Sequence, residues 1–335
     1  MAFITARTQL AARIEVNEGT PETVTAEDVR HCLNPAWSTD TPMDDRTLVQ
    51  ADLSPHSLVP GLRSARMEFD MEIKGSGTLG KAPAIGDLLR GCGLDRVAYE
   101  IGAMGADTYK IGDMGSDEYE IGAMDESGQQ VNYEPESTDM SSLTLAFYMD
   151  GLIKKMWGAR GDVTFSFNVG KPAMAHFVFT GADFSVTDGS MLSSITYELT
   201  NPPAFLSSAF TIQSYAALIG TVEIAMNNSV VLRQDSRQGS GYKNAIITGR
   251  SPVLTLDPEA VKVADHDFYG LLRAGTKGAL SMVLGATEGN ICTITAPQVQ
   301  YRGISSDDKD GIRAFGIECK LNRSAGNDEL SLAFT

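Results

Sequence analysis

Residues 75–82 read Gly75-Ser76-Gly77-Thr78-Leu79-Gly80-Lys81-Ala82, one residue away from a phosphate-binding loop. In such a loop backbone N–H groups cradle phosphate, the Lys neutralises it and a Ser or Thr hydroxyl ligates Mg²⁺. Here Ala82 has no hydroxyl and Pro83 has no N–H. The preceding residues alternate charged and apolar, unlike the apolar run of a buried parallel strand. A strand-to-helix connector is expected, not a nucleotide site. Asp307-Asp308-Lys309-Asp310-Gly311 is acidic, but it lacks the twelve-residue ligand pattern of a calcium loop and reads as a hairpin turn. His31, His56, His176 and His266 show no HExxH or HxH spacing, and no G-x-S-x-G elbow occurs. Cys32, Cys92, Cys292 and Cys319 lack CxxC spacing and are expected as small buried hydrophobes. No catalytic residue, metal site or cofactor is expected.

The elements around these residues follow a period of two. Met67, Phe69, Met71 and Ile73 alternate with Arg66, Glu68, Asp70, Glu72 and Lys74. Residues 143–149, 163–169 and 315–321 repeat that alternation, with aromatic and β-branched side chains suited to half-buried pleats. Turn signals separate them at Asp150-Gly151, Asp188-Gly189 and Asp310-Gly311. Helical signals are short: residues 84–91, 265–274 and, with Thr25 as N-cap, 25–30. The fold class is mainly β.

Composition sets bounds on function. The chain has 335 residues, 27 Lys+Arg and 43 Asp+Glu, for a formal net charge of −16. Such a chain repels nucleic acid, so an outer surface that grips phosphates is not expected. Hydrophobic residues at 42% and charged residues at 21% exclude wholesale disorder. No signal peptide and no membrane span is visible, so synthesis and folding in a cytoplasm are expected.

Two stretches are duplicated. Gly86-Asp87-Leu88-Leu89-Arg90 and Gly270-Leu271-Leu272-Arg273 each sit between strand-like segments. Two related domains are expected, residues 1–190 and 191–335, the first carrying an insertion at about 95–130. Inside it Tyr99-Glu100-Ile101-Gly102 recurs as Tyr109-Lys110-Ile111-Gly112 and Tyr119-Glu120-Ile121-Gly122. Three copies are few for a solenoid, so an exposed protrusion bearing Tyr99, Tyr109 and Tyr119 is expected. Glu68, Asp70 and Glu72 share one strand face, a soluble surface that becomes a repulsive wall if many copies enclose a channel.

Several segments, in order, resemble tail tube proteins of long-tailed bacteriophages: LAARIEVNEG at 10–19, LRSARMEFDMEIKGSGTLGKAPAIGDLLR at 62–90, and SLTLAFYMDGLIKKMWGARGDV at 142–163. VFTG at 178–181, KGALSMVLGATEGNICTITA at 277–296 and AGNDELSLAFT at 325–335 continue the series. The resemblance implies two β-sandwich or barrel domains, each with a short flanking helix. It further implies homotrimeric rings of pseudo-sixfold symmetry, stacked into a tube through which DNA passes without specific binding. Tail-tip, tape-measure and terminator proteins would be the other partners, with no membrane. The long loop at residues 37–60, with Trp37, Asp40, Asp44, Asp45 and Arg46, would contact the neighbouring ring, and Glu68, Asp70 and Glu72 would face the lumen. The other readings are a head–tail connector or distal tail ring protein, and a surface adhesin using the tyrosine repeats.

Overall fold

The computed structural model describes residues 7–52, 54–97 and 130–335. The first part of the chain forms β1 Thr8–Ile14, β2 Val29–Arg30, β3 Leu33–Asp40, β4 Met43–Asp44, β5 Val59–Pro60 and β6 Ser64–Glu72. Helix α1 Gly86–Gly91 follows, then β7 Leu94–Val97, β8 Val131–Pro135, β9 Leu143–Met149, β10 Leu152–Asn168, β11 Met174–Gly181 and β12 Asp183–Asp188. The remainder gives β13 Phe210–Ile212, β14 Thr221–Ala225, β15 Val230–Gln234, β16 Tyr242–Ile247 and β17 Val253–Leu256. It ends with α2 Phe268–Ala274, β18 Lys277–Leu284, β19 Cys292–Lys309, β20 Ile312–Asn322 and β21 Ser331–Phe334. The protein is mainly β, built of antiparallel sheets.

Local chemistry sets the ends of these elements. Asp150 (φ 36°) and Gly151 (φ 116°) take the left-handed conformations that let β9 turn directly into β10. Asp267 caps α2 by accepting from the Gly270 N–H at 2.7 Å, and Gly275 (φ 64°) closes it. The helix expected at 25–30 is only a 3₁₀ turn, Ala26–Asp28, after which the chain extends into β2.

Strand β10 is longer than the alternation at 163–169 indicates, because Gly158 and Gly161 hide its first half. Its residues 152–157 pair with β9 and β12, whereas 160–168 pair with β11 and β14. The bend falls at Gly158 (φ 59°), where a Cβ would lie 3.1 Å from that of Ala182. One strand thus serves two sheets, β2-β1-β9-β10-β12 and β3-β6-β11-β10-β14. The core fills the space between them.

The strand pairing repeats itself. Beside β3-β6-β11-β10 stands β14-β17-β20-β19, and beside β1-β9-β10-β12 stands β13-β18-β19-β21. Each series carries a two-stranded hairpin at the same place, β4–β5 and β15–β16. Met43 pairs with Pro60 and Val230 with Ile247; Trp37 lies opposite Met67 and Ile224 opposite Leu254. Each second residue stands 187 positions after its counterpart (43 to 230, 60 to 247, 67 to 254).

The two series share one sheet and one core. β10 pairs with β14 from Thr164↔Ala225 to Asn168↔Thr221, and β8 pairs with β21. Buried residues from both, including Phe69, Phe165, Ile224, Leu254 and Ile317, form one cluster. At its centre Phe69, Phe177 and Phe179 pack with ring centroids 5.7–6.0 Å apart. Cys92, Cys292 and Cys319 lie buried in it, and burial pushes the Cys292 thiol up to about 12, so they act as neutral hydrophobes. Phe177→Ala is expected to cost about 3–5 kcal/mol by leaving a cavity no neighbour can fill, read from the urea midpoint.

Candidate assembly surface

The face of β6 opposite the core carries Glu68, Asp70 and Glu72, as alternation requires. It is not a bare acidic wall. Arg66 lies 3.3 Å from Glu68, Lys74 lies 4.0 Å from Glu72, and His176 on β11 lies 2.6 Å from Asp70. Register continues the face across the repeat, where Glu223 on β14 stands opposite Thr255, and Thr255 opposite Glu318. Glu318 is itself paired with Arg302 at 2.8 Å.

Residues 37–60, read from the sequence as one loop, begin as strand. Trp37 and Asp40 belong to β3, paired with Met67 and Ser64, and Asp44 belongs to β4; Asp45 and Arg46 enter the connection to β5. The short polar stretch Leu33–Asp40 contains Pro35 and exposes most of its residues, which is why its strand character was missed. Arg46 donates to the Ser57 carbonyl and hydroxyl. Met43, Leu48, Val49, Leu58 and Val59 are all exposed, an apolar surface without cover among the described residues. Tyr99, Tyr109 and Tyr119 lie outside the described residues.

The series β3-β6-β11-β10-β14-β17-β20-β19 ends in two open edges among the described residues. β3 pairs only with β6, and β19 pairs with β20 but with no second strand beyond Gln300. They are the counterparts of the two edges that meet inside the chain, those of β14 and β10.

That internal seam rests on groups which no motif in the sequence marks. Glu15 accepts from Gly158 N (2.7 Å), Gly19 N (2.8 Å), Ser142 Oγ (2.6 Å) and Thr144 Oγ1 (3.0 Å), tying the bend of β10 to β1 and β9. The buried Arg160 guanidinium pairs with Glu18 and donates to the carbonyls of Met140 and of Ala245 on β16. Asn228 Nδ2 donates to the carbonyls of Cys92 (2.7 Å) and Gly161 (3.1 Å), and its N–H donates to Asp162. Burial pushes the Asp162 carboxyl up, more than these N–H donors pull it down. Hairpin β15–β16 is thereby clamped onto β10.

The glycine-rich stretch spends its donors internally. The Gly75 N–H goes to Asn290 Oδ1 and the Gly77 N–H to the Gly289 carbonyl, both at 2.9 Å. A Cβ on Gly75 would fall 2.1 Å from that carbonyl, so the glycine is there for close approach of two loops. Ser76 and Lys81 line a cleft in which the carboxylates Glu27, Glu72, Asp87 and Glu198 offset the cations Arg30, Lys74 and Lys81.

A family model described as phage tail tube protein matches residues 5–324, nearly the whole chain. The chain belongs to the phage tail tube protein family. A search of curated proteins finds no match. Family membership makes it a structural component of a virion tail that self-assembles into a tube with other tail components.

In a tail tube protein the anchors that hold strand ends matter more than any cleft, and Asp257 is one. Its carboxylate accepts from Gly220 N (2.8 Å) and Thr221 N (2.7 Å) and pairs with Lys309 at 2.6 Å, joining β14, β17 and β19. Burial pushes this carboxyl up, but the Lys309 ammonium and the two N–H groups outweigh it and hold it below the usual range. The folded-state value is depressed, so its stabilisation is present above about pH 4 and is lost as pH falls through the folded value. Asp257→Asn is expected to cost about 1–2 kcal/mol at pH 7, the gap to the parent closing below about pH 4 in urea titrations.

Proposed function

We propose that three copies close into a ring of pseudo-sixfold symmetry, and that rings stack into the tube that conducts DNA to the host. One observation carries this reading: the chain already contains one seam of such a ring, β10 against β14, and exposes the two edges that would make the next. Residues 1–190 and 191–335 then act as duplicated tube domains. Unpaired strand edges invite pairing, and head-to-tail use of these two satisfies both only when the ring closes. By correspondence with Phe165 opposite Ile224, the new ladder places Ser306 of one copy opposite Trp37 of the next. The tape-measure, tip and terminator proteins are the partners proposed inside and at the ends of the tube, with assembly in the host cytoplasm.

The exposed face of the continuous sheet lines the lumen in this reading, and Glu68, Asp70, Glu72 and Glu223 give it an acidic cast. Such a wall repels phosphates and lets DNA slide without sticking. The part-neutralising Arg66, Lys74 and Arg302 keep ring closure from concentrating uncompensated charge.

Negative-stain microscopy of purified protein across a concentration series is expected to give open tubes with threefold rotational symmetry. Closed single rings that never stack would favour a connector or distal tail ring, and sixfold rings would remove the trimer. Tubes carrying Glu68→Lys, Asp70→Lys and Glu72→Lys together are expected to retain DNA in a gel-shift assay at low salt. Parent tubes are expected not to; equal behaviour would take these residues off the lumen.

A further inference from the structure

Hairpins β4–β5 and β15–β16 occupy equivalent positions, and only one of them has a seat. Ala245 on β16 is fully buried, held by the Arg160 guanidinium on β10. Its counterpart 187 positions earlier, Leu58, is 53% exposed. The receiving surface shows the same asymmetry. Arg160 stands in a row with Thr180 and Arg66 across β10, β11 and β6. The matching row in the second half is Gln300, Lys320 and Val253 across β19, β20 and β17, extended by Lys277 on β18. In the first half hairpin β15–β16 covers the Arg160 end of this row and leaves Arg66 exposed; in the second half Lys277 and Lys320 are exposed.

The charges of the two open surfaces are complementary. Lys277, Lys320 and Arg323 line one open groove beside Asn322, and all three are exposed and form no ion pair among the described residues. Lys277 and Lys320 flank Gln300 on adjacent strands, so their Cβ atoms are about 10 Å apart. In a chain of net charge −16, three unpaired cations in one groove are an exception that solubility does not require. The unseated hairpin carries Asp44 and Asp45, and Asp40 ends the strand that leads into it; all three are exposed and likewise without an ion pair among the described residues, next to the exposed Met43, Leu58 and Val59.

We propose that hairpin β4–β5 and its connection, residues 41–62, seat in the Lys277–Lys320–Arg323 groove of the next copy in the same ring, as β15–β16 seats on β10 within one chain. The inference rests on the ring reading above. It differs from the resemblance, which places residues 37–60 against the neighbouring ring. The occupant is a second copy of this chain, its aspartates steering the approach and its apolar residues filling the seat.

The test is a charge swap in the full-length chain. Lys277→Glu with Lys320→Glu and Arg323→Glu forms one set, and Asp40→Lys with Asp44→Lys and Asp45→Lys the other. All six positions are exposed, and circular dichroism with the melting temperature checks folding. Each set alone is expected to raise the concentration for half-assembly at least about tenfold by sedimentation velocity, and both sets in one chain are expected to restore most of the loss. Independently of any variant, parent assembly is expected to weaken as salt rises from about 0.05 to 0.5 M. Assembly indifferent to both sets and to salt would overturn the inference. So would variants that close rings but fail to stack them, since the contact would then lie between rings. Parent protein that stays monomeric throughout would bring down the ring reading itself and this inference with it.

Discussion

The structure depends on a rule about strand edges: every backbone N–H and C=O taken from water must find a partner. β10 meets it over most of its length by bending at Gly158 and moving from one pair of neighbours, β9 and β12, to another, β11 and β14. On one side its far half pairs with β11, and on the other with β14, from beyond the midpoint of the chain. The two similar strand series are therefore fused at the level of hydrogen bonds, with a common core beneath them.

The groups that hold this arrangement are polar and scattered. Glu15 fixes the bend, Arg160 and Asn228 fix the hairpin that crosses it, and Asp257 fixes the start of β14. None belongs to a catalytic pattern, and each makes hydrogen bonds to backbone or neighbouring side chains, although Arg160 Nε and Asn228 Oδ1 are buried without a partner. A buried carboxylate such as Glu15 is tolerable because four donors surround it, an environment that only the folded chain assembles. Gly19 shows the same tight fit, since a Cβ there would sit 2.5 Å from the Lys243 carbonyl on β16.

Much of the fold was legible where one physical pattern dominates. Period-two alternation marked β6, β9 and β20. β3 stayed hidden, because a mostly exposed strand with Pro35 has no buried face to advertise. The first half of β10 stayed hidden because glycines at a bend break the alternation. The three acidic residues of β6 were correctly placed on one face. Their cationic partners Arg66 and Lys74 were visible as neighbours, but His176 reaches Asp70 from 106 positions away and only the sheet brings it there. The constant spacing between the hairpins was unreadable, since Asp44 and Asp45 align with Val231 and Leu232 and share no chemistry with them. Register, not residue type, carries that correspondence.

The seam also has a consequence in time. Thr164 is made 61 residues before its ladder partner Ala225. At a synthesis rate of about 5–20 residues per second, the growing chain carries the open edge of β10 for roughly 3–12 s before its own partner emerges. Throughout that interval the edge is open to β3, the counterpart of β14, on a neighbouring nascent chain. A protein that self-assembles by edge pairing thus passes, at every round of translation, through an interval in which one of its own internal edges is still open.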